Sequence, residues 1–122
     1  VKRSLEIGPY ISDLKVGMRA VVDSGTGHRA NYDPNEPVLG KTGTCTDYRA
    51  STHMGWFGSF NDVGRNKLVV VVMLTGGKPV NGPVAAGVAG ALYRRLSEQK
   101  FFASTGSPTP PLGLIATGCC GR

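Results

Sequence analysis

The stretch with the most chemistry in it is Gly40-Lys41-Thr42-Gly43-Thr44: an ammonium group and two hydroxyls two residues apart, set among glycines. Ammonium and hydroxyl donors on thinly covered backbone suit an anion, either phosphate or carboxylate. Phosphate would call for the P-loop, G-x-x-x-x-G-K-[ST] running straight into a helix. The Lys-Thr end fits, but Asn35 occupies the place of the first glycine, prolines stand at 34 and 37, and Gly43-Thr44-Cys45-Thr46 starts no helix. The plainest alternative is a polar edge strand. Cys45 and His53 could form a nucleophile pair, although two strand residues spaced across a turn are more often packing. His28 and His53 fall in loops or near strand ends, with no third metal ligand in view.

The elements that would position these residues follow from periodicity. Ile11, Leu14, Met18, Val21 and Val22 recur at helical spacing and predict an amphipathic helix from Tyr10 to Ser24. Gly25-Thr26-Gly27 is expected to end it through a left-handed glycine. His28 to Pro37 reads as a polar loop. Three strands are predicted, at 38–46, 53–60 and 67–75, joined by polar turns as an antiparallel meander. The strand carrying Lys41 is poor in large side chains and suits a sheet edge, next to 53–60 and then 67–75. The last of these, Lys67-Leu68-Val69-Val70-Val71-Val72-Met73-Leu74-Thr75, is almost continuously apolar, which predicts a central strand covered on both faces. Asn81 or Gly82 can cap a second helix begun by Pro83, with Val84, Val88, Leu92 and Leu96 recurring every fourth residue. Ala85, Ala86, Gly87, Ala89 and Gly90 let that helix sit close on the sheet. Trp56 is expected in the core rather than as a stacking platform. Arg19 is expected to be solvated or salt-bridged, and Arg94-Arg95 to complement the helix dipole.

Composition sets the outer bounds. A chain of 122 residues allows one domain with a modest core. Its apolar fraction of 40% is that of an ordered globular chain, and its 18 glycines and 8 prolines predict many turns. The net charge of +6 is scattered, with no basic run interleaved with aromatics, which argues against nucleic acid. Cys45, Cys119 and Cys120 have neither a zinc spacing nor a disulfide framework. The sequence holds no apolar run near the ~18 residues that cross a bilayer, and its first residue is not Met, which suggests a fragment or processed piece. Residues 1–102 are expected to form the domain, and 103–122, rich in turn residues, a disordered tail.

With these elements in order, the chain resembles the C-terminal part of the transpeptidase domain of penicillin-binding proteins. The resemblance runs from Lys15 to about Leu96: Met18-Arg19-Ala20-Val21-Val22, Gly25-Thr26-Gly27, Val38-Leu39-Gly40-Lys41-Thr42-Gly43-Thr44, Trp56-Phe57-Gly58, the valine-rich strand, Gly76-Gly77 and the final helix. Lys-Thr-Gly is an element of the serine penicillin-recognising group. The resemblance implies an α+β fold in which this three-stranded meander and its flanking helices are a fragment of a five-stranded sheet.

It also implies roles. The donor peptide of peptidoglycan ends in a D-alanine carboxylate, as penicillin ends in a carboxylate. Lys41 would supply a fixed cation to the cleft, and Thr42 and Thr44, on one side of the strand, hydroxyl donors. Gly43 would let the substrate backbone approach, and the N–H of Thr44 would form half of the oxyanion hole. The implied function is penicillin binding and peptidoglycan D,D-transpeptidation through an acyl-enzyme. The alternative is a class D-like β-lactamase or a non-catalytic penicillin sensor.

One departure matters. The family's S-x-x-K nucleophile motif and S-x-N precede Lys-Thr-Gly, and neither does so here. Ser97-Glu98-Gln99-Lys100 and Ser59-Phe60-Asn61 match the letters but follow Lys41, so both are read as coincidence. The expected role is therefore a cleft wall within a larger protein, inactive alone. The resemblance implies peptidoglycan stem peptide and β-lactams as partners, no nucleic acid, no cofactor and no metal. It implies membrane contact only through an N-terminal anchor outside this sequence. The implied location is the cell envelope, at the periplasmic or outer face of the inner membrane.

Overall fold

Apolar spacing from Tyr10 onward produces the first helix, α1 (Ile11–Asp23), in the computed structural model, which describes residues 5–49 and 51–103. Its C-terminus closes when Ser24 N–H donates to Ala20 O and Gly27 N–H to Val21 O. The expected left-handed glycine is absent from this turn. Gly27 has φ −92°, and the positive-φ glycines among the described residues are Gly64 and Gly76. Space rather than dihedral explains the glycine at 25, where a Cβ would lie 2.9 Å from the Val21 backbone. The polar loop that follows carries a 3-10 turn at His28–Ala30.

Three strands follow, β1 (Val38–Asp47), β2 (Thr52–Asn61) and β3 (Val69–Gly76). They pair antiparallel in the order β1-β2-β3. The registers set Lys41 opposite Gly58, Thr42 opposite Phe57 and Gly43 opposite Trp56, then Ser59 opposite Val70. Side chains alternate across a strand, so Val38, Thr42, Phe57, Ser59, Asn61 and Val70 share one face, and each is buried. The closing helix, α2 (Gly82–Glu98), begins at Asn81, whose side chain accepts the Val84 N–H at 3.0 Å, and packs on this face. Phe57 and Tyr93 are its largest fully buried apolar side chains, and Tyr93 stacks on Tyr32 at 6.1 Å.

A second expectation is corrected. β3 lies at the outside of the described sheet, with Val70 buried but Val69 73% and Val71 64% exposed. Apolarity alone does not say how many layers are present: α2 covers one face, and α1 lies against β1. In α2 the buried stripe is Ala85, Ala86, Ala89, Gly90 and Tyr93, while Val88 and Leu92, part of the four-residue recurrence, are exposed. Close approach selects the small residues. A Cβ on Gly90 would lie 2.5 Å from Arg29 O, so a branched side chain there would hold the helix off the 3-10 turn. The observed architecture is α+β, a three-stranded antiparallel meander with two helices. The expected tail at 103–122 lies, beyond Ala103, outside the described residues.

Candidate functional site

Strand alternation divides Lys41-Thr42-Gly43-Thr44 between two environments. Lys41 is exposed on the face away from α2, where Gly58 opposite it presents no side chain. Its Nζ donates to Thr42 O at 2.7 Å, and with Leu14, Met18 and Val21 of α1 it lines an open groove of about 550 Å³. The ammonium therefore stands where α1 and β1 meet.

Thr42 and Thr44 lie together on the opposite face, under the start of α2. Thr44 is exposed, and its Oγ1 accepts the backbone N–H of Gly82 at 2.9 Å. A hydroxyl that accepts this bond keeps its own hydrogen to donate. Thr42 is only 9% exposed, and its Oγ1 lies 2.5 Å from Thr26 Oγ1. Thr42 and Thr44 share one side of the strand, as expected, but one is nearly buried and the other lies at the surface.

Gly43 and Gly82 differ in a useful way. A Cβ on Gly82 would lie 2.8 Å from Thr42 Cβ and 2.9 Å from Gly43 O, so α2 can start here only with glycine. A Cβ on Gly43 would meet nothing closer than Trp56 Cβ at 3.6 Å, an ordinary contact. Packing within the described chain does not demand glycine at 43. Gly40 is demanded by packing, since a side chain there would collide with the Phe57 ring.

The other candidates are dispersed. Cys45 is an exposed free thiol opposite Met54, whereas His53 lies opposite Thr46 and shares a 3.3 Å contact with its hydroxyl. Neighbouring strand positions face opposite ways, so Cys45 and His53 do not meet across the ladder. Trp56, expected in the core, is 41% exposed on the Lys41 face. Ser59 is buried against Tyr93 OH and Val70 O, a core role. Ser97 stands fifteen residues along α2 from Gly82, or about 22 Å at the helical rise, so it is remote from Thr44. Arg19 pairs with Asp23, as expected of a salt-bridged surface residue. Sequence reasoning missed two contributors, Thr26 and Gly82. The signal was present as a hydroxyl between two glycines and as a glycine between an N-cap and a proline, but neither string reveals that it touches β1.

No curated protein and no solved structure matches the chain. The family model described as "Penicillin binding protein transpeptidase domain" matches residues 9–95, which includes α1, all three strands and most of α2. Penicillin-binding and transpeptidase function in general go with that family, and with them acyl-transfer activity for the intact protein. With most of its length matched, the chain belongs to the penicillin-binding protein transpeptidase domain family.

Proposed function

We propose that this chain forms one wall of the active-site cleft of a peptidoglycan D,D-transpeptidase, with β1 as the strand along which the stem peptide or a β-lactam lies. The observation that carries this reading is the state of Thr44: the residue lies at the surface and its hydroxyl accepts from Gly82 N–H, which leaves its hydrogen free for an incoming carboxylate. Lys41, three residues before Thr44 and on the other face of β1, supplies positive charge to the same strand, its Nζ bonded to Thr42 O. Gly43, which no packing contact requires, leaves room for a substrate backbone.

In the reaction a serine of the intact protein, outside this chain, attacks the carbonyl of the penultimate D-alanine. The bond to the terminal D-alanine breaks, that residue leaves with a proton, and an acceptor amine then displaces the serine from the ester. Charge develops on the carbonyl oxygen at each stage. Thr44 N–H is the donor assigned to it from this wall, and loss of one such donor typically costs ~2.7–4 kcal/mol of transition-state stabilisation. The Thr42 carbonyl, reached by Lys41 Nζ, behaves as a group on the outer edge of β1. Residues two apart turn their N–H and C=O to the same edge, which gives Thr44 N–H that orientation as well. The five-stranded sheet of the complete fold and its place in the cell envelope belong to this proposal.

The test is release of D-alanine from a stem pentapeptide by the intact protein. Release that falls at least about tenfold in Thr44→Val, with Thr44→Ser close to the unsubstituted protein, is the expected result. Equal release by all three proteins would remove Thr44 from the site.

A further inference from the structure

Thr26 was not among the residues assigned to the carboxylate, yet it is held against them. Its hydroxyl lies 2.5 Å from that of Thr42, and among the described residues neither hydroxyl has another hydrogen-bond partner. The turn that carries it has little freedom. A Cβ on Gly25 would lie 2.9 Å from the Val21 backbone, and one on Gly27 would lie 3.0 Å from Val21 Cγ1 and 3.1 Å from the Phe57 ring. Gly27 N–H is also tied to Val21 O. Thr26 is thus fixed between two glycines that pack against α1 and the core, with its side chain turned to β1.

We propose that Thr26 is a positioning residue for carboxylate recognition, donating its hydroxyl hydrogen to Thr42 Oγ1 so that the Thr42 hydrogen turns outward toward the bound anion. Two hydroxyls in contact hold two hydrogens, and only one can lie between them. Without an anion either direction satisfies the pair. A carboxylate beside Thr42 selects one direction, because the hydrogen nearest the anion must point at it. The order of donation is then Thr26 to Thr42 to carboxylate. Each bond in such a chain polarises the next. Thr42, nearly buried and pinned under Gly82, could otherwise spend its hydrogen on Thr26. The role rests on the proposed carboxylate-binding function of β1.

The experiment measures second-order acylation rates of the intact protein with a penicillin and with the methyl ester of the same penicillin, which lacks the anionic group. Thr26→Val keeps the shape and removes the hydroxyl, and Thr26→Ser restores it. The expected result is a loss of about tenfold for the penicillin in Thr26→Val, little change for the ester, and recovery of the penicillin rate in Thr26→Ser. An unchanged penicillin rate in Thr26→Val, or equal losses for penicillin and ester, would overturn the inference, the second result marking Thr26 as merely structural. If the unsubstituted protein reacts with neither compound, the reading of β1 as a penicillin-binding strand fails and takes this inference with it. If it reacts with both at the same rate, carboxylate recognition fails while acylation stands.

Discussion

Gly82 and Thr44, 38 residues apart, are joined by a 2.9 Å hydrogen bond from the first backbone N–H of α2 to a hydroxyl on β1. The bond satisfies one of the N–H groups that a helix start leaves unpaired. It also fixes the rotamer of a side chain at the candidate site. Fold and site therefore share this contact, and substitutions at Thr44 should register in both.

Thr44→Val is expected to lower unfolding free energy by about 1 kcal/mol, because Gly82 N–H loses its acceptor. Thr44→Ser should recover most of it. Urea denaturation of the two variants checks this, and identical midpoints for Thr44→Val and the unsubstituted protein would contradict it.

Two glycine substitutions should separate packing from function. Gly82→Ala forces a Cβ to 2.8 Å from Thr42 Cβ and is expected to destabilise by about 1–3 kcal/mol. Gly43→Ala, whose Cβ finds only a 3.6 Å contact, should change stability by less than about 1 kcal/mol while sharply slowing acylation by β-lactams. Thermal melts paired with acylation rates distinguish the two. A Gly43→Ala protein that acylates at the normal rate would show that no ligand backbone approaches this position.

The contrast between these glycines shows what the sequence could and could not convey. Both helices, all three strands and their order were legible, because apolar periodicity, turn residues and the Asn81-Gly82-Pro83 start are local signals. Lys41, Thr42, Gly43 and Thr44 were legible as a motif. The division of Thr42 from Thr44, the Thr26 contact and the demand for glycine at 82 were not, since each depends on residues distant in the chain meeting at one point. The burial of β3 was misjudged for a related reason: a run of valines records that apolar surface is available, not how much of it the described elements cover.

Alkaline pH should destabilise the fold through Tyr93, which is buried, and Tyr32, which is half-buried. Burial raises the Tyr93 hydroxyl above the ordinary phenol value of 10.0, opposed by its contact with Ser59. Burial, then the hydrogen bond to Glu36, raises Tyr32 as well. A raised folded pKa means that the unfolded chain loses its proton first. The stabilisation is complete below about pH 10 and falls as pH climbs from there toward the folded values. Melting temperature measured from pH 8 to 11.5 should decline above pH 10, and Tyr93→Phe should make the decline shallower. A flat profile would contradict the raised pKa of both hydroxyls.

The sheet face away from α2 exposes Trp56, Val69, Val71 and Met73, and the outer edge of β3 has no strand neighbour among the described residues. The 122-residue chain alone is therefore expected to self-associate. Val71→Lys, on an exposed position, should shift its size-exclusion profile toward monomer without loss of stability. A monomeric unsubstituted chain at high concentration would be the contrary result.

The proposed cleft requires Lys41 to face a ligand rather than support the fold. The most direct test is the rate at which a fluorescent penicillin labels the intact protein with and without Lys41→Ala, read on a denaturing gel and paired with melting temperature. Lys41 is exposed and its bond is to the carbonyl of the next residue, so labelling is expected to slow at least about tenfold with the melting temperature nearly unchanged. Unchanged labelling, or labelling and melting temperature falling together, would show that Lys41 belongs to the fold and not to the cleft.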